Sequence, residues 1–177
     1  MKLVILDRDG TINQDSDQYI KSPAEWKPIP GSLEAIARLT QGGWRILVAT
    51  NQSGIERGLF DMATLNAIHA EMHRAAAQAG GRIDAVFFCP HAAESNCECR
   101  KPKPGMMREI AARLDVKLAG VPVIGDSLRD LEAAAAAGAK PILVLTGKGR
   151  QTREGGGLPP GTEVLADLSA VAARLAP

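Results

Sequence analysis

Five short aliphatic runs, spaced by stretches with helical periodicity, restrict what this chain can fold into more than any other feature. They fall at residues 3–6, 44–49, 85–88, 121–124 and 141–145. Apolar runs of this length, rich in aliphatic and β-branched types and interrupted only by Arg45, read as strands buried on both faces. Between them, Leu33, Ile36, Ala37 and Leu39 recur at helical spacing, as do Met62, Leu65, Ile68 and Met72, and then Met107, Ile110, Ala111 and Leu114. Ser32 and Asp61 are candidate N-caps, Gly42-Gly43 a stop signal, and Pro104 a first-turn proline. An alanine-rich helix ending at Gly138 and a last helix near 167–175 complete the alternation. Strands alternating with helices predict an α/β fold with a doubly wound, mostly parallel sheet. A length of 177 residues predicts one domain over 1–177.

Two stretches lack periodicity. Residues 12–30, stiffened by Pro23, Pro28 and Pro30, read as a loop over the strand ends. The Gly/Pro-rich residues 146–161 read as another, with Gly147-Lys148-Gly149 a mobile segment rather than a phosphate-binding loop. With so little chain between the first strand and the first helix, no large cap is expected.

The charge balance excludes whole classes of partner. Twenty-one basic and 20 acidic side chains are well mixed, and the formal net charge is +1. No basic tract marks a nucleic-acid or membrane footprint, and at 3% aromatic residues are too few for base-stacking platforms. Met1 leads directly into the first strand and no apolar run reaches the length of a membrane helix, so a cytoplasmic protein is expected. An odd three cysteines argue against a disulfide framework. No apolar stripe is left unassigned, which predicts a monomer.

The chemistry gathers where the runs end. Leu3-Val4-Ile5-Leu6 stops at Asp7-Arg8-Asp9-Gly10-Thr11. Alternate residues of an extended segment share a face, so Asp7 and Asp9 can reach one small volume at the strand's carboxyl end, where ligands bind in open parallel sheets. Two like charges so placed need a shared proton or a divalent cation. A solvated turn is the plain alternative. The second run ends in Thr50-Asn51-Gln52-Ser53-Gly54, whose hydroxyls and amides suit phosphate oxygens as well as a turn. The fourth ends in Gly125-Asp126-Ser127-Leu128-Arg129-Asp130, and Lys101 precedes Pro102 ahead of a helix. His69 and His73, four apart without a third ligand, read as surface or boundary residues.

Taken together, Asp-x-Asp-x-Thr, a strand-terminal Thr, a Lys before a helix and Gly-Asp-x-x-x-Asp resemble the haloacid dehalogenase superfamily of aspartate-nucleophile phosphatases. Asp7 to Asn13, Thr50 to Gly54 and Cys99-Arg100-Lys101-Pro102 are similar to its heptose bisphosphate and histidinol-phosphate phosphatase branch. The resemblance implies a Mg²⁺ ion held by Asp7, the Asp9 backbone carbonyl and Asp126. It makes Asp7 the nucleophile and a protonated Asp9 the acid and then the base. Lys101 and Thr50 would hold phosphate oxygens. Asp130 is left between orienting the metal's waters and pairing with a neighbouring base. Asp15, Tyr19, Asn51, Gln52, Ser53, Arg100 and Ser127 complete the expected substrate contacts.

Cys89-Pro90-His91 and Cys97-Glu98-Cys99 flank a short polar loop. Three thiolates and an imidazole form a recognised tetrahedral Zn²⁺ set, against unlinked thiols or a redox pair at Cys97 and Cys99. The related phosphatases carry the same ligand pattern, which implies a structural zinc that fixes the direction of Arg100 and Lys101.

The implied substrate is a small phosphorylated sugar, heptose 1,7-bisphosphate losing its 7-phosphate on the way to lipopolysaccharide core. Arg100 suits a second phosphate bidentately. Histidinol phosphate, the other substrate of the branch, would favour a carboxylate such as Asp15 or Asp17. A phospho-accepting receiver domain, also built on Mg²⁺ and an aspartate, is the alternative from another class; it needs neither the Asp-x-Asp-x-Thr start nor a zinc loop.

Overall fold

A computed structural model describes all residues, 1–177. Six parallel strands form one sheet in the order β3-β2-β1-β4-β5-β6. They are β1 (Leu3–Leu6), β2 (Arg45–Asn51), β3 (Ala85–Cys89), β4 (Pro122–Gly125), β5 (Lys140–Val144) and β6 (Glu163–Leu165). The helices are α1 (Ser32–Gln41), α2 (Met62–Gln78), α3 (Gly105–Leu114), α4 (Leu128–Ala136), α5 (Gly149–Gly155) and α6 (Leu168–Leu175). No helix is long and apolar enough to cross a membrane.

The alternation along β1 shows why its run is unbroken. Val4 and Leu6 join the core under α1, α2 and α6, whereas Leu3 and Ile5 join the core under α3 and α4. All four are buried, each burial being worth about 1.5–3 kcal/mol. Strand order reverses at β1, which pairs with β2 on one side and β4 on the other. A doubly wound sheet opens its ligand crevice at that point.

Several local expectations change. The 146–161 loop contains α5, and the chain then adds β6, whose three residues are too short for a readable alternation. Ser32 does not cap α1; Gly31 stands at the N-cap, and Ser32 Oγ instead donates to the Ile12 carbonyl, tying the long loop to the helix. Met62 turns outward at the start of α2, while Leu65, Ile68 and Met72 are buried. Asp61 does cap that helix, accepting from Thr64 N–H. No large insertion separates β1 from α1: only one short 3₁₀ turn, Pro23–Glu25, interrupts the loop.

Candidate active site

The ends of β1, β2 and β4, with Lys101, surround a cleft of about 200 Å³. Asp7, Asp9, Asp15, Tyr19, Thr50, Asn51, Gln52, Ser53, Arg100, Lys101 and Asp126 all line it. Of the expected site residues outside the cysteine loop, only Ser127 lies off this lining: its N–H and Oγ both donate to Asp130 Oδ2, forming a capping box at the start of α4. The expectation of a substrate contact at Ser127 is corrected by that hydrogen bonding.

Lys101 is the buried cation at the centre. Its ammonium donates to Asp7 Oδ1 at 3.0 Å and to the Ala49 carbonyl at 2.7 Å, and lies 2.7 Å from Asp130 Oδ1. Two of its N–H groups are thereby directed, and the contact with Asp130 is an ion pair. Burial works against its charge, but Asp130 and Asp7 outweigh it and hold the lysine pKa above its ordinary value. Asp130 is therefore a salt-bridge partner: despite burial, Lys101 keeps its carboxyl below the usual range. Gly125 makes this approach possible, since a Cβ there would sit 2.4 Å from the Asp130 side chain.

Asn51 does a different task from the one its type suggested. Its Oδ1 accepts from Lys101 N–H at 3.1 Å and its Nδ2 donates to the Lys101 carbonyl at 3.0 Å. It brackets the lysine backbone, so the amide is spent on positioning although the residue faces the cleft. Gln52 is likewise committed, donating through Nε2 to Thr50 Oγ1 at 2.9 Å and to Asp9 Oδ2 at 3.1 Å.

Asp9 accepts four hydrogen bonds. Arg8 Nε reaches Oδ1 at 2.8 Å and Nη2 reaches Oδ2 at 3.1 Å; Asn13 Nδ2 adds Oδ1 at 2.9 Å, and Gln52 completes Oδ2. Burial pushes its pKa up, but the Arg8 charge and these donors reverse the sign and leave it lowered. The expected protonated Asp9 is thus not the form this arrangement stabilises; four donors on two oxygens select the carboxylate. Arg8 was not singled out in the sequence, although it is wholly buried. His69, expected near the surface, is buried against it.

Asp7 and Asp126 differ from Asp9. Burial and the charge of Asp130 raise both, only partly offset at Asp7 by Lys101, and Asp126 reaches about 7. Asp126 is wedged between two glycines with positive φ: a Cβ on Gly10 would lie 2.0 Å from its Oδ2, and one on Gly147 2.2 Å. Its Oδ2 also accepts from Lys148 N–H at 2.8 Å. The expected mobile segment 147–149 is therefore a wall of the site, fixed by that bond and continued by α5. Lys148, expected in a mobile segment, and Arg129, not expected at the site, line the cleft as further cations, and the Lys148 ammonium lies 3.5 Å from Asp15. Asp7, Asp126 and Asp130 offer oxygens within 4.8 Å of one another. With Asp130 spent on Lys101, Asp7 and Asp126 are two crowded carboxylates whose all-oxygen chemistry fits a hard divalent cation.

A second donor set sits at the end of β3. Cys89, His91, Cys97 and Cys99 bring one donor atom each within 4.8 Å of the others. Cys89 Sγ lies 3.1 Å from Cys99 Sγ and 3.6 Å from Cys97 Sγ; His91 Nδ1 is 3.4 Å from Cys99 Sγ. A tetrahedron with Zn–S near 2.3 Å has S–S edges of about 3.8 Å, close to these separations. The three thiols are free, so the residues fit a closed structural zinc. The loop reaches the cleft through Arg100, whose Nη1 donates to the His91 carbonyl at 3.2 Å.

Comparisons with known proteins agree with this geometry. A HAD-hydrolase-like family model matches residues 98–171, and one described as polynucleotide kinase 3 phosphatase matches residues 2–127. The D-glycero-beta-D-manno-heptose-1,7-bisphosphate 7-phosphatase of Bordetella bronchiseptica is 66% identical over 175 residues, covering 99% of this chain and 98% of that protein. The enzyme of the same name from Pseudomonas putida is 54% identical over 175 residues, covering 99% of each. The crystal structure of the B. bronchiseptica D,D-heptose 1,7-bisphosphate phosphatase, complexed with magnesium and phosphate, superposes with a TM-score of 0.98 over 99% of this chain and 98% of that one. That from Burkholderia thailandensis, 58% identical, gives 0.80 over 98% and 97%. Identity this high, running nearly end to end through every strand that carries the cleft, means that this chain belongs to the D-glycero-beta-D-manno-heptose-1,7-bisphosphate 7-phosphatase family within the haloacid dehalogenase superfamily.

Proposed function

We propose that the chain, acting as one domain and a monomer in the cytoplasm, removes the 7-phosphate of D-glycero-beta-D-manno-heptose 1,7-bisphosphate during ADP-heptose synthesis. The observation that carries the reading is the Asp7–Lys101 pair facing Asp126 in the cleft, in a chain 66% identical to an enzyme of that name. Asp7 and Asp126 would hold a magnesium ion, which when bound offsets the repulsion between a dianionic phosphate and an anionic nucleophile. Cys89, His91, Cys97 and Cys99 would hold zinc.

Asp7 Oδ1 is engaged by Lys101 and by Arg8 N–H, leaving Oδ2 to attack phosphorus. The new Oδ2–P bond forms as the P–O bond to C7 of the sugar breaks, giving an aspartyl-phosphate. Asp9, protonated from solvent as substrate binds, passes that proton to the departing sugar oxygen and then takes one from the water that cleaves the intermediate, releasing inorganic phosphate. Because its four acceptor positions are filled, Asn13 or Gln52 gives way when Asp9 takes up a proton. Lys101 and the Thr50 hydroxyl hold the equatorial oxygens as charge moves onto them. Arg100 takes the phosphate on C1, while Tyr19, Asp15 and Ser53 line the sugar.

Steady-state phosphate release from the α- and β-heptose bisphosphates and from histidinol phosphate tests this. The β-bisphosphate is expected to be the preferred substrate, and Asp7→Asn to abolish turnover with the fold intact. Arg100→Ala is expected to raise KM for the bisphosphates and leave histidinol phosphate unchanged. Preference for histidinol phosphate, or turnover by Asp7→Asn, would overturn the assignment.

A further inference from the structure

Arg8 occupies the variable position between the two aspartates, and its side chain is wholly buried. Two of its donors form a fork on the Asp9 carboxylate, at 2.8 and 3.1 Å. A third nitrogen, Nη1, lies 3.2 Å from His69 Nε2, reaching across 61 residues to α2. A guanidinium can only donate, so Nε2 must be the unprotonated acceptor and the ring's hydrogen must sit on Nδ1. His69 is buried, and burial together with the Arg8 charge lowers its pKa to about 3, so the neutral ring is the stable form at neutral pH.

We propose that His69 is a positioning residue for the reaction: as a neutral acceptor on α2 it sets the plane of the Arg8 guanidinium, and the Arg8 fork sets the direction of the Asp9 carboxylate. The inference rests on the proposed function only in giving Asp9 a part in turnover. An arginine side chain has several rotatable bonds, and a two-point fork on a neighbouring residue leaves it free to swing together with that residue. The contact to α2 ties the Arg8 end of the Arg8–Asp9 unit to the scaffold. Asn13 and Gln52 fix the two carboxylate oxygens from the other side, so Asp9 is held between the loop, the residue that follows β2 and, through Arg8, α2. His69 lies outside the cleft lining, so it acts only through Arg8. Orientation of a reacting carboxylate matters at the ångström scale, which is why an indirect contact has kinetic weight.

Two variants and one spectrum decide it. His69→Gln keeps an acceptor oxygen, whereas His69→Leu keeps volume and removes the acceptor. With a generic aryl phosphate as well as the heptose bisphosphate, His69→Leu is expected to lower kcat about tenfold with KM within twofold. His69→Gln is expected to recover most of that loss. In the wild-type protein, nitrogen-15 NMR of histidine at neutral pH is expected to show an unprotonated His69 Nε2 and a protonated Nδ1. Wild-type kcat in His69→Leu, a His69→Gln as slow as His69→Leu, or a protonated Nε2 would each overturn the proposal. Should heptose bisphosphate prove not to be a substrate, that reading alone fails, because the aryl phosphate kinetics and the tautomer still decide the role of His69.

Discussion

Lys101 Nζ stands 3.0 Å from Asp7 Oδ1 although 94 residues separate them, and the same ammonium lies 2.7 Å from Asp130 Oδ1. The lysine is 2% exposed. One buried cation is therefore shared by two carboxylates, offsetting one of their two charges, and Asp126, raised to about 7, has no cation of its own among the side chains. A divalent ion beside Asp7 and Asp126 would complete the balance.

Removing Lys101 uncovers that imbalance. Lys101→Met keeps the length and apolar stem but leaves Asp7 and Asp130 buried without their partner. Breaking a buried pair from one side costs about 3–5 kcal/mol. The urea midpoint is expected to fall accordingly, and kcat to drop by about two to three orders of magnitude as one phosphate-oxygen contact disappears. A midpoint unchanged by the substitution would show that Asp7 and Asp130 do not depend on this cation.

The cysteine cluster is expected to couple to the cleft. Cys99 directly precedes Arg100 and Lys101, and Arg100 is itself anchored on the His91 carbonyl. Chelator treatment or Cys97→Ala is expected to lower thermal stability and raise KM for the bisphosphate several-fold. Metal analysis with kinetics on the same samples checks both effects. A zinc-free, folded sample with unaltered KM would separate the cluster from substrate binding.

His69 also predicts a pH dependence of stability. Its pKa, about 3 in the folded protein because of burial, the Arg8 charge and His73, lies below the ordinary 6.5; the charge of Asp9 only partly opposes this. The unfolded chain binds the proton first, so below about pH 6.5 protonation favours unfolding, and stability falls as pH falls towards the folded value. Above about 6.5 the contribution is flat. Between about pH 7 and 4, wild-type stability is expected to drop about 3 kcal/mol more than that of His69→Gln. Urea melts of both proteins across that range measure the difference, and parallel curves would place His69 in contact with water.

Much of the architecture is legible in the chain because it is local. Residues 3–6 are apolar on both alternations, and the structure buries both, so one unbroken run implies a central strand. Asp7, Asp9, Asp126 and Lys101 follow strand ends or precede a helix, and strand ends in a parallel sheet converge. The cysteine and histidine spacing similarly fits four donors to one point. The missed elements, α5 and β6, are short and Gly-rich or only three residues long. Their stability comes from docking: Gly147 packs on Asp126, and β6 pairs with β5.

The sequence by itself determined which residue types stand at the strand ends and that those ends meet. Only the tertiary structure decided who pairs with whom there. It gave Asp130 to Lys101, turned Asn51 onto the Lys101 backbone and set His69 behind Arg8. The reason is physical: a pattern along the chain fixes the face on which a side chain lies. Its partner is fixed by distances of a few tenths of an ångström between segments 29 to 94 residues apart, and these exist only once the layers have packed.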